Sequence, residues 1–224
     1  MKSPELRKEL SELTLHKRGI RINLQLPLIE SEDEVTLRNR EQLSNRLLAL
    51  HLCCLAAQPE QQADLNNLIT KHNLQHNLQH ILSAQEQAWI THQQQPAALP
   101  DFAKHCHYAL HFLQWATGLQ PAPGMPDRAE RLADLSLTHH LFETANSPAS
   151  APASLRLRSK SELLDWADLL YRLHWSVRHA HITNKPTPGR LHAASVLAWH
   201  QAANWLIAYD NEDDWDQVST ETGG

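Results

Sequence analysis

The densest set of chemically competent side chains lies between Leu163 and His181 and in the segment that follows. Asp168 and Arg172 stand four residues apart, one turn of helix, which puts a carboxylate and a guanidinium on one face. His174 falls among Leu163, Trp166, Leu170, Val177 and Ala180, the apolar positions expected to be buried. His200 and Asn204 repeat the four-residue spacing beside Val196 and Ile207. Packed as a hairpin, the two segments would join Asp168, Arg172, His174, His200 and Asn204 in one buried network. Such a network has two uses. As an acid–base site, Asp168, Arg172, His174 and His200 would be its catalytic groups, their pKa values moved by low dielectric. As scaffolding, the same groups hydrogen-bond one another and pin two helices in register.

Other side chains pose the same kind of choice. His72, His76 and His80 recur every fourth residue within the tandem repeat His72-Asn73-Leu74-Gln75 and His76-Asn77-Leu78-Gln79. Neighbouring imidazoles at that spacing can share a metal ion, but three of them span roughly 12 Å of helix, too far for one ion. A solvated polar face is the expectation, with no metal. His107 and His111 repeat the spacing without a carboxylate one turn away, and are expected to be core or surface. Trp166, Trp175, Trp199, Trp205 and Trp215 belong to aromatic packing more readily than to ligand stacking. For a binding surface the candidates are Trp175, Arg178, Asn204, Trp215 and Asp216, the last two in the acidic run Asp210-Asn211-Glu212-Asp213-Asp214-Trp215-Asp216.

The elements that must position these groups are helical. Valine occurs only at Val35, Val177, Val196 and Val218, while Leu, Ala and Gln, which lose little side-chain freedom in a helix, are abundant. The spacing predicts a short charged helix to about Leu15, then an extended stretch to Pro27. Ser31 and Glu34 read as a capping box opening a long helix to about Ala57, with Leu43, Leu47, Leu50 and Cys54 inward and Arg46 beside them. A second long helix is expected from Glu60 to His92, with Leu74, Leu78, Leu82 and Trp89 on one side and the histidines opposite. After the Gln93–Pro96 break, Asp101 caps a helix to Gly118, and Asp127 caps one to about residue 145. Ser159 and Glu162 open a helix to Ile182, and the last runs from Leu191 to Tyr209. The fold class is therefore all-α, a bundle of about six to seven helices in a single domain over 1–224. Asn146–Ser154 reads as low-complexity linker within a flexible loop at about 146–158.

Composition narrows the function. The chain has 224 residues, 42% of them hydrophobic, and a net charge of -5 from 20 basic and 25 acidic residues. Clustered Lys and Arg are missing, so nucleic acid is not an expected partner. No apolar run approaches the roughly 20 residues of a membrane span. The six glycines build no phosphate-cradling loop, so no nucleotide or other cofactor is implied, and no serine has a nucleophile-elbow setting, which leaves hydrolase chemistry unsupported though not disproved. Three cysteines, two of them adjacent, and a charged rather than apolar N-terminus point to the reducing cytoplasm.

The blocks Glu162-Leu163-Leu164-Asp165-Trp166-Ala167-Asp168-Leu169-Leu170-Tyr171-Arg172-Leu173-His174-Trp175, Pro186, His200 with Asn204-Trp205, Trp215-Asp216 and Thr220-Glu221-Thr222 follow one another in an order and spacing that resembles the bacterial domain-of-unknown-function family 4272. Leu26-Pro27, Arg38, Glu41, Arg46-Leu47-Leu48-Ala49-Leu50 and Trp115-Ala116-Thr117-Gly118 extend the likeness over nearly the whole chain. The resemblance implies fold and extent, and no activity, substrate or cofactor. The chain departs from the pattern at Ala198-Trp199, where the family tends to carry Glu-Arg, and at Tyr108, where it carries a glutamate. If those charges formed a site, this member has altered it.

Two functions follow as expectations. The first is a cytoplasmic helical module acting by protein–protein interaction, a class that includes immunity proteins neutralising a toxin. The second is a small-molecule or metal-dependent enzyme built on Asp168, Arg172, His174 and His200, which requires one concave pocket into which at least two of them open.

Overall fold

Eight α-helices run through the described residues of the computed structural model, which are 2–76, 78–91, 100–127, 131–145 and 155–223, with residue 76 described by its backbone alone. They are α1 (Pro4–Lys17), α2 (Arg40–Ala56), α3 (Gln62–Lys71), α4 (Ala84–Thr91), α5 (Asp101–Ala116), α6 (Leu135–Thr144), α7 (Lys160–Ile182) and α8 (Ala193–Leu206). No strand occurs among the described residues, so the chain is all-α, with slightly more helices than expected. The linker Asn146–Ser154 and the Gln93–Pro96 break lie outside the described residues.

Local chemistry explains where the helices begin. Ser159 accepts the Glu162 amide, and the Glu162 carboxylate returns to the Ser159 amide at 3.1 Å, the capping box expected for α7. The Ser31–Glu34 pairing also forms, with the Ser31 N–H donating to Glu34 Oε2 at 2.8 Å, but it closes a turn. The helix α2 starts later, behind the capping box of Asn39 and Gln42. Competition for backbone groups accounts for the delay. Lys160 Nζ donates to the Glu32 and Val35 carbonyls, each at 2.8 Å, and the Arg38 N–H donates to Leu206 O at 3.1 Å. Similarly α6 starts behind Asp134, because Asp127 is held by Arg131 and Arg18 rather than by a helix N-terminus.

The single helix expected from Glu60 to His92 is broken into a 3-10 turn at Pro59–Gln61, α3, two more 3-10 turns at Leu74–His76 and Leu78–His80, and α4. Asn73, at φ 51°, takes the left-handed conformation that ends α3 and that asparagine tolerates. The repeat therefore carries tight turns instead of one helical face. Leu74 and Leu82 are buried as expected, but so is His72, whose Nε2 lies 3.0 Å from Phe142 O, while His80 is exposed.

Packing follows a simple succession: α1 lies on α7, α7 on α8, α8 on α5 and α5 on α2, with α3, α4 and α6 against α2. Arg7 ties α1 to α7 through Asp165 Oδ1 at 3.0 Å. One apolar core runs through all of this, from Leu15 to Val218, and includes the expected stripe Leu43, Leu47, Leu50 and Cys54. Arg46 is buried beside that stripe, ion-paired with the equally buried Glu86 and placed 4.6 Å from the Trp215 ring centroid.

Cys53, Cys54 and Cys106 are all free and buried. Burial pushes the Cys53 and Cys54 thiols well above their usual range, and neighbouring Cys106 and Glu86 push further. A thiol reagent such as dithiobis-nitrobenzoate should leave all three unlabelled in the native protein and label all three in denaturing guanidinium. Stoichiometric labelling under native conditions would contradict this packing.

Candidate functional site

The five polar residues expected to form one network occupy two clusters on α7 and α8. In the first, Arg172 Nε and Nη2 donate to the two Asp168 oxygens at 2.9 and 2.7 Å, a bidentate pair within one turn of α7. Both residues are at most 1% exposed. Arg172 Nη2 also donates to Pro27 O at 3.2 Å, which fastens the extended segment before α2 onto α7.

In the second cluster His174 Nδ1 lies 3.0 Å from His200 Nδ1, and Asn204 Nδ2 lies 3.2 Å from His200 Nε2 and 2.8 Å from Ser219 O. Burial is the main cause that holds His174 down to about 4 and His200 to about 3, with Arg178 and the paired imidazole adding to it. Both rings are thus neutral at pH 7, and one tautomer assignment satisfies them. Asn204 donates to His200 Nε2, His200 Nδ1–H donates to His174 Nδ1, and His174 Nε2–H is left for the Thr220 backbone. The chain of bonds ties α7 and α8 to the C-terminal segment.

Neither cluster is presented to a common hollow. His174 lines an open cleft of about 480 Å³ between the end of α7 and the start of α8. His200 lines a different cleft of about 300 Å³, walled by Pro27–Glu30, α7 and the C-terminal segment. Asp168 and Arg172 line neither. The geometry that an acid–base site on these four residues requires, two of them opening into one pocket, is not what the clefts show.

The expected binding residues are scattered as well. Trp175 is half-buried and stacked on His179, with centroids 4.8 Å apart. Arg178 is exposed on the wall of the α7–α8 cleft, its Nη1 donating to Thr222 Oγ1 at 3.3 Å. Asn204 lines the second cleft while its Nδ2 serves His200 Nε2 and Ser219 O. Trp215 is 6% exposed, packed on Trp205 and under Arg46, and Asp216 accepts from the Gln85 N–H at 3.0 Å. The acidic segment is anchored to its own chain at these points and through Asp213, which pairs with Arg38 while remaining exposed. His107 is buried, and His111 is half-buried, stacked on Trp199 with a 15° interplanar angle. Among the described residues no three His, Cys, Asp or Glu side chains are grouped so as to hold a metal ion.

Sequence spacing missed most of what lines the clefts. Arg178, His181, Ile182 and Lys185 recur at three- and four-residue intervals and mark the first one. Glu30, Tyr171, Tyr209 and Glu221, brought together from three distant segments in the second, leave no local signal.

Fold and site together define an all-α protein whose buried polar groups brace its helices and in which the two histidines of the expected site reach two separate surface clefts. The chain belongs to the family described as Domain of unknown function (DUF4272), whose pattern matches residues 7–218. Tyr108, Ala198 and Trp199, where the sequence reading expects a departure from the family pattern, are all buried on α5 and α8. No curated protein and no solved structure matches the chain. Among the described residues no helix is long and apolar enough to cross a membrane.

Proposed function

We propose that the protein is a helical binding module that holds an acidic, apolar segment of another protein in the cleft between α7 and α8. The observation that carries this reading is the lining. Val177, Ile182, Ala193, Ala194 and Leu197 supply the apolar surface, Arg178, His181 and Lys185 the polar rim, and no carboxylate is among them. On a chain with net charge -5 this is a local reversal of sign. The first turn of α8 adds the positive end of a helix dipole at Ala193 and Ala194. Ile182, 69% exposed, and Leu197, 37% exposed, stand uncovered at the cleft, where a partner's apolar side chains would bury them.

A toxin that the protein neutralises is one form of such a partner, and the three free thiols support a reducing compartment such as the bacterial cytoplasm. The test is a side-by-side purification from native lysate of the wild type and an Arg178→Glu/Lys185→Glu variant. A stoichiometric partner bearing an acidic segment should accompany the wild type and be lost from the variant as the rim reverses sign. Recovery of both proteins alone, or equal retention by both, would defeat the reading. An adjacent toxin gene whose product is inhibited by the wild type and not by the variant would identify the partner as a toxin.

A further inference from the structure

The second cleft shares no lining residue with the first and has the opposite chemistry. It is bounded by the Pro27–Glu30 segment, by α7 at Ala167 and Tyr171, and by the C-terminal segment at Tyr209 and Glu221. His200 and Asn204 are also among its lining residues. We infer that this cleft binds a small organic ammonium ion, seated against the Tyr209 ring and balanced by Glu30 and Glu221.

Charge is the first part of the argument. Neither Glu30 nor Glu221 has an ion pair among the described residues. Two guanidiniums approach this wall and both have other partners: Arg172 lies 5.9 Å from the Tyr171 ring centroid but is committed to both oxygens of Asp168, and Arg178 donates to Thr222 Oγ1 from the other cleft. Two carboxylates therefore line the same cleft with no ion pair of their own among the described residues. The Tyr209 phenol reports the field. It is raised first by burial and then by Asp210, Glu30, Tyr171 and Glu221, so these groups surround it.

Shape and chemistry supply the second part. A free volume of about 300 Å³ is at the lower end of small-ligand sites and suits a single-ring or short-chain molecule. Tyr171 and Tyr209 are both half-buried and both line the cleft; Arg172 already lies against the Tyr171 ring, so it is Tyr209 that adds aromatic surface for a second cation. His200 and Asn204 contribute no charge, because the imidazole is neutral and bonded to His174 and Asn204. A divalent metal is the wrong occupant, since no third His, Cys, Asp or Glu joins the two glutamates in a group that could hold an ion.

The inference stands apart from the α7–α8 cleft and can fail without it. Titration of the full chain with benzylammonium, benzyl alcohol and benzoate, followed by calorimetry and by amide chemical shifts, separates charge from shape. Benzylammonium should bind saturably, shift the amides around Tyr171 and Tyr209, and weaken as salt rises; the neutral and anionic isosteres should bind at least about tenfold more weakly. Glu30→Gln and Glu221→Gln, both outside the core, should each weaken benzylammonium by about tenfold. Lys185→Glu, in the other cleft, should leave it unchanged. No saturable binding, equal binding of benzyl alcohol, or indifference to both glutamine variants would overturn the inference.

Discussion

Asp168→Ala is expected to destabilise the protein by about 3–5 kcal/mol, because it leaves a guanidinium buried without its counter-charge. Asp168 is 0% and Arg172 1% exposed, so water cannot replace the lost carboxylate. Arg172 Nη1 already lacks a hydrogen bond and has only Glu12 Oε1 at 3.9 Å to share its charge. Removing Asp168 would also free Arg172 from the geometry in which it holds Pro27 O, and would loosen one wall of the smaller cleft. The double variant Asp168→Leu/Arg172→Met should recover most of the loss, since apolar side chains of similar size need no partner. Urea unfolding of the three proteins measures this directly. A change below about 1 kcal/mol in Asp168→Ala would mean that the pair does not brace the fold, and would reopen a chemical role for the carboxylate.

The contrast between what spacing revealed and what it hid follows from the range over which each interaction acts. The start of α7 was readable because Ser159 and Glu162 satisfy each other's backbone within four residues. The inward stripe of α2 was readable for the same local reason. The start of α2 was not, because the carbonyls of Glu32 and Val35 go to Lys160, far along the chain, and nothing near Ser31 announces that competitor. The histidine repeat misled because its period resembles helix while Asn73 turns the backbone left-handed. Buried placement of Asp168, Arg172, His174 and His200 was legible, but their division into two clusters depends on which side of α7 each faces across α8. Aromatic packing was the expectation for Trp215, but the sequence does not say against what. Its burial depends on Arg46 and Trp205, which only tertiary packing brings to it.

Acid should unfold this protein while most of its carboxylates are still ionised. Four deeply buried histidines are held far below the usual imidazole value: His51 and His200 at about 3, His107 and His174 at about 4, each chiefly by burial. In the unfolded chain the same groups titrate near ~6.5, so between that value and the folded ones the unfolded state binds protons that the native state refuses. Stability is therefore complete above about pH 7 and falls as pH drops, by about 2 kcal/mol per histidine at pH 5. Four such groups together amount to about 8 kcal/mol, comparable with the whole stability of a typical domain of about 5–15 kcal/mol. The bonding pattern sharpens the effect. A proton added to His200 Nε2 meets the Asn204 donor, and one added to His174 Nδ1 meets the His200 donor, so either breaks the chain between α7, α8 and the C-terminal segment. Cooperative loss of helicity and of tryptophan burial is expected to be complete by about pH 4, as followed by circular dichroism and fluorescence. His107 offers the cleanest control, because neither of its ring nitrogens has a hydrogen-bond partner. His107→Leu should keep the packing, add stability at neutral pH and move the acid midpoint lower, and His200→Gln should also move the midpoint lower. A transition confined below about pH 3, or one that neither substitution shifts, would show that these histidines do not govern the acid limit of the fold.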